Sequence, residues 1–229
     1  MKNVNFYSLI KKFHFKYFTD MSFTKSYNNS LVSTDTLFTQ LGLEKKALQP
    51  LSSGDRAPEF SLLTKAAYLP QLPAGQADII ISDDLFNGKP LVISFYSPHW
   101  ADYGHRHIKL LIEAYPKIKA LGGELLVLTS EPAHHIRQIV NYYNLPFNIA
   151  QDLKNQIAES FQVFSQDAPV WENVSGIDEN VALPATYVVT PNQQIIFDFV
   201  STDFSNIVSV REILTAVYKV RDTEVLKVA

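Results

Sequence analysis

Five of the six histidines fall at positions 99, 105, 107, 134 and 135, and with Asp102 they are the side chains of this chain best suited to metal ligation or proton transfer. Their spacing argues against chelation from one face. On a helix, residues 105 and 107 stand about 200° apart and residues 134 and 135 about 100° apart. A metal would need ligands converging from separate loops, namely His99, His105 and His134, with Asp102 as a substitute for His105. The plainer alternative is that these histidines cap helices or face solvent. Ser97, Thr129 and Ser130 lie in the same neighbourhood and raise Ser/His hydrolysis, but no G-x-S-x-G elbow is present and no acid is placed to orient a base. No P-loop or G-x-G-x-x-G occurs; Gly122-Gly123 reads as a helix stop, and Asp83-Asp84 and Asp178-Glu179 read as turn and loop acids.

The chain has no cysteine. Thiolate nucleophiles, disulfides, C-x-x-C redox pairs, cysteine-zinc sites and iron-sulfur clusters are therefore all excluded. With 229 residues, 46% of them apolar and 19% charged, and a net charge of -3, the composition is that of an ordinary globular protein. Residues 1–49 carry seven lysines against three acids, whereas the rest is acidic, which speaks against nucleic acid as a partner of the main body. No apolar run approaches the roughly 20 residues of a membrane span. Lysines break up the apolar residues at the start, unlike a signal-peptide core, so the expected compartment is the cytoplasm. The interleaved aromatic and lysine residues of 1–20 read either as a surface-binding arm or as a plain extension.

The elements that must position these groups follow from periodicity. Residues 34–46 have helical character, with Leu37 and Leu41 on one face. Leu91 to Tyr96 is a continuous apolar run of strand length, and Ala101 to Leu121 is helical, with Ile108, Leu111, Ile112 and Tyr115 as its buried stripe and a kink expected at Pro116. Glu124 to Thr129 is a second buried strand, and Pro132 to Tyr143 a second helix. A short strand near Phe147, a helix from Leu153, a long loop through Trp171, and two strands at Thr186 to Thr190 and Ile195 to Ser201 precede a last helix opened by Ser209-x-x-Glu212. This order predicts an α/β fold, a mixed central sheet flanked by helices.

Three segments identify the pattern further: GDRAPEFSL at 54–62, LVISFYSPHWADYG at 91–104 and LPATYVVTPNQQIIFDFVSTDF at 183–204. Together they resemble the peroxiredoxin-like AhpC/TSA (redoxin) family, over most of residues 50–220. The resemblance implies a thioredoxin-like fold and thiol-based oxidant chemistry. The chain departs from the family where that chemistry resides. In place of W-C-x-x-C it reads Trp100-Ala101-Asp102-Tyr103-Gly104, so the vacated cysteine positions are Ala101 and Gly104. The Thr or Ser that orients peroxide in the wider family also aligns with Ala101. An activating arginine is missing from the stretch Leu183-Pro184-Ala185-Thr186.

What survives such a loss is shape and backbone polarity. The start of the helix at Ala101 is a candidate anion site, with Arg106 nearby, against the alternative of simple hydration. The resemblance places Pro184 where thioredoxin-fold proteins carry a cis-proline, whose preceding residue can pair with an extended peptide. The expected binding residues are thus Tyr96, His99, Trp100, Asp102, Tyr103, Arg106, Leu183 and Pro184, for an unidentified small ligand or peptide and with no resident cofactor. Tyr96, Trp100, Tyr103, Tyr142 and Tyr143 are expected in the core or the pocket wall. The organisation expected is an extension with an accessory helix (1–49), a thioredoxin-fold domain (50–220) and a tail (221–229). The resemblance also permits a homodimer, with contacts near Trp171 and Leu41. The function expected is that of a cysteine-free binding or interaction module. The alternative is an antioxidant oxidoreductase using a histidine-bound metal, a cofactor or a partner's cysteine.

Overall fold

The computed structural model describes residues 48–228, apart from 73–76, 87, 173, 175 and 178. The helix expected over 34–46 and the reading of 1–20 lie outside the described residues. The centre is a six-stranded mixed sheet of order β2-β6-β5-β4-β7-β8. Strand β4 (Leu91–Phe95) is buried at every position, as a continuous apolar run without alternation requires. It runs parallel to β5 (Glu124–Thr129), which runs parallel to β6 (Asn148–Gln151). On its other side β4 pairs antiparallel with β7 (Ala185–Val189), and β8 (Ile195–Val200) closes that edge as a hairpin partner of β7. Strand β2 (Ala67–Tyr68) pairs with β6 at the opposite edge, while β1 (Ser61–Leu63) and β3 (Ile79–Ile81) form a separate two-stranded sheet. The mixed sheet flanked by helices that periodicity predicts is present, in the thioredoxin-like arrangement that the resemblance implies.

Five α-helices are described: α1 (Ser82–Phe86), α2 (Ala101–Ala120), α3 (Ala133–Tyr143), α4 (Gln156–Ser160) and α5 (Val210–Val228). The crossovers of the parallel strands are α2 and α3, with α2 packed against α5 and β5, and α3 against β2 and β6. Helix α2 continues through Pro116, which is exposed, and buries Ile108, Leu111 and Tyr115 of the expected stripe, while Ile112 is only partly buried. Its two terminal glycines act differently. Gly122, at φ +84°, takes the left-handed turn, and the Gly123 N–H returns to the Ile118 carbonyl at 3.0 Å, closing the helix end. Gly123 also lets α5 approach, since a Cβ there would lie 3.1 Å from Val217. Helix α5 runs through residues 221–228, the stretch assigned from sequence to a tail.

Under β4 and β7 sit Phe95, Phe161 and Tyr187, with ring centroids 5.0 to 6.5 Å apart. On the opposite face of the same strands is a buried polar chain: His107 Nε2 to Ser94 Oγ at 2.8 Å, and Ser94 Oγ to Thr186 Oγ1 at 2.8 Å. His107 is fully enclosed and its Nδ1 has no hydrogen-bond partner among the described residues, so it sits in the core as a neutral imidazole. Burial lowers its pKa to about 4. An unfolded imidazole takes its proton near the ordinary value of about 6.5. Stability is therefore full above that value and falls as the pH drops toward the folded one, by about 3 kcal/mol in all. Urea unfolding at neutral pH and at about pH 4 will show this loss in the wild type and remove it in His107→Leu; equal acid losses in the two proteins would refute the assignment.

Candidate functional site at the strand ends

The C-terminal ends of β4 and β5 meet between the starts of α2 and α3, the place where an open α/β sheet presents loops to a ligand. The β4–α2 connection is a tight 3-10 turn, Pro98–Trp100, in which Ser97 Oγ accepts the His99 N–H at 3.1 Å and the Ser97 carbonyl accepts the Trp100 N–H at 3.3 Å. Ala101 then takes φ +49°, ψ -127°, a conformation an L-residue rarely adopts. The Ser97 hydroxyl is buried and engaged with backbone, which removes it as a nucleophile.

The vacated cysteine positions differ sharply. Ala101 is exposed, whereas Gly104 is buried with α2 seated hard on the loop: a Cβ at 104 would lie 2.7 Å from the Ser97 carbonyl oxygen. Around it the aromatic residues fill space. Trp100, 2% exposed, donates its indole N–H to the Ala182 carbonyl at 3.1 Å and packs edge-on against Tyr96, Tyr103, His107 and Phe204, with centroids 5.8 to 6.1 Å away. The Tyr103 hydroxyl donates to the Asn206 carbonyl at 2.9 Å, and burial raises its pKa to about 12.

Of the expected binding residues, Tyr96, Trp100, Tyr103, Leu183 and Pro184 are buried, and His99, Asp102 and Arg106 are exposed. The Arg106 guanidinium lies over the Tyr103 ring, 5.7 Å from its centroid. Asp102 stands in the first turn of α2, where its own carboxylate opposes a bound anion. No described peptide bond is cis, so the cis-proline expected at Pro184 is corrected to a trans bond. The edge expected to receive a peptide is also occupied: the Leu183 N–H donates to the Val163 carbonyl at 2.8 Å and the Pro184 carbonyl accepts from Ser201 at 2.9 Å. The chain supplies its own backbone partners there.

The histidines assemble otherwise than their spacing suggests. Glu131, 6% exposed, receives His99 Nε2 on Oε1 at 3.2 Å and His135 Nδ1 on Oε2 at 2.6 Å. Burial pushes the Glu131 carboxyl up, but hydrogen bonds and charge from His99 and His135 outweigh it and hold the group below its usual range. His105 Nδ1 instead meets the Tyr143 hydroxyl at 2.8 Å, and that hydroxyl bonds Tyr96. The His134 ring lies against His135, 4.2 Å between centroids. Among the described residues, no three His, Asp or Glu side chains are placed to hold a metal ion, which overturns the metal set His99, His105 and His134. The expected lack of an acid to orient a base does not hold, since Glu131 orients two imidazoles. Glu131 escaped the sequence reading, although its i, i+4 separation from His135 was a readable signal.

Comparison with known proteins agrees with the fold. The AhpC/TSA family description matches residues 53–197. No curated protein sequence matches significantly. Among solved structures, Mycobacterium tuberculosis AhpC superposes with a TM-score of 0.57 at 21% identity, covering 77% of this chain and 96% of its own. Plasmodium vivax 2-Cys peroxiredoxin in its reduced form gives 0.56 at 17% identity, covering 76% and 84%. Enterococcus faecalis AhpC gives 0.56 at 15%, covering 78% and 95%.

The seating of α2 generates opposite expectations for the two vacated positions. Gly104→Ala will destabilise by about 2 kcal/mol, because its Cβ meets backbone and not a flexible side chain. Ala101→Gly will stabilise by about 1 kcal/mol by relieving the positive φ. Urea midpoints at neutral pH test both, and a neutral or stabilising Gly104→Ala would show that the seat is open.

Proposed function

The chain belongs to the AhpC/TSA family, matched over residues 53–197, and contains no cysteine; from that premise we propose that it serves as a binding module whose contact surface is the exposed polar rim at the strand ends. A thiol peroxidase needs a sulfur at the start of α2, and this chain has none there or elsewhere. The observation that carries the binding reading is the division of that site into a filled interior and a polar rim. Trp100 and Tyr103 are buried with their polar atoms satisfied internally, while His99, Asp102 and Arg106 remain exposed on the same turn.

Such a rim suits a polar partner better than an apolar ligand, which would need the volume the aromatic side chains occupy. A small polar ligand, a peptide or a protein segment fits this chemistry. A homodimer is a further form the partner can take, and Trp171, 47% exposed, is available to such a contact. No helix among the described residues is long and apolar enough to cross a membrane, and a cytoplasmic partner is the natural proposal.

Two measurements test this reading. With a thiol reductant, hydroperoxide consumption by the purified protein will be no faster than the protein-free blank. Crosslinking in the native host will capture a partner that Asp102→Ala combined with Arg106→Ala, both exposed, no longer retains, with the fold preserved by circular dichroism. Robust peroxide turnover, or full retention of every partner by the double variant, would defeat the proposal.

A further inference from the structure

The Glu131 cluster carries chemistry that a binding rim does not require. A buried carboxylate accepting Nδ1–H at 2.6 Å fixes His135 in the tautomer whose lone pair resides on Nε2. That nitrogen has no hydrogen-bond partner among the described residues, and the side chain is 42% exposed. The second carboxylate oxygen is held by His99 Nε2 at 3.2 Å, so Glu131 is oriented from both sides. The Tyr96–Tyr143–His105 chain braces the adjoining wall. An imidazole held at Nδ1 by a buried carboxylate and open at Nε2 has the arrangement of an activated base or nucleophile.

We propose that His135 Nε2 is an acyl-transfer nucleophile positioned by Glu131, and that it takes uncharged, activated acyl donors. The class follows from charge, because the carboxylate behind the ring repels anionic phosphoryl donors and leaves neutral carbonyl carbons as the matched electrophile. In the first step the Nε2 lone pair forms a bond to the carbonyl carbon. The bond from that carbon to the leaving oxygen breaks, and the oxygen departs with the electron pair. The acyl-imidazolium keeps its proton on Nδ1, hydrogen-bonded to the Glu131 carboxylate, whose charge offsets its own. Water then adds to the acyl carbon and gives one proton to solvent, the C–N bond breaks with its electron pair returning to Nε2, the carboxylic acid so formed loses its remaining acidic proton to solvent, and the neutral imidazole is restored. His99 is a positioning residue in this scheme.

His134 is the internal control: it is adjacent in sequence, exposed, and has no carboxylate contact among the described residues. The test uses the full chain with diethyl pyrocarbonate as acyl donor at about pH 8, above the ordinary imidazole range, with modification followed residue by residue by mass spectrometry. His135 will react on the order of ten-fold faster than His134, and Glu131→Gln will abolish that difference. Hydrolysis of p-nitrophenyl acetate will exceed that of His135→Gln. Equal rates at the two histidines in the unmodified chain, or ester hydrolysis unaltered by His135→Gln, would overturn the proposal. The first comparison needs no variant to fold, and neither result bears on whether the rim binds a partner.

Discussion

The burial of the Trp100 indole is the interaction on which the rest of the strand-end region depends. Its ring fills the space between the 3-10 turn, α2 and the loop carrying Phe204, and its N–H is satisfied by the Ala182 carbonyl. An indole is large enough that enclosing it draws several elements together, and its single donor must find an acceptor once water is gone. With the indole in place, Tyr103 turns its hydroxyl to Asn206, His107 is sealed below it, and the first turn of α2 is pressed against Ser97. An aromatic plug thus stands beside the positions Ala101 and Gly104, and the polar groups of the region lie at its margin.

Glu131 sets the character of that margin. A carboxylate with so little solvent contact is costly unless both oxygens are bonded, and the two imidazoles provide those bonds from different segments, the turn after β4 and helix α3. Because each imidazole is itself partly exposed, the buried charge is linked to solvent through two side chains and not sealed in the core. The interior histidine, His107, shows the opposite solution. It carries no charge, bonds a serine hydroxyl and is excluded from solvent altogether.

Much of the fold was legible because the signals were local. The apolar run 91–95 allows only a strand buried on both faces, the stripe of Ile108, Leu111 and Tyr115 allows only a helix packed on it, and Gly122-Gly123 ends that helix as its composition demands. The site was less legible because its contacts cross elements. Glu131 follows β5, and nothing in its neighbours announces that His99, far away in sequence, meets it. Pro184 illustrates the limit of resemblance: the position was matched, but the isomer and the occupancy of its edge are set by Val163 and Ser201, which no motif includes. The aromatic residues were readable as apolar, yet whether they line a groove or plug it depends on Phe204 arriving from the far end of the chain.

The contact between Gly104 and the Ser97 carbonyl limits what can be engineered at this turn. A glycine placed against backbone permits a closer approach than any side chain, so a larger residue at 104 has to lift a packed helix away from its turn. A thiol installed there would work against the grip of the indole beside it. Substitutions on the exposed rim leave that seat intact.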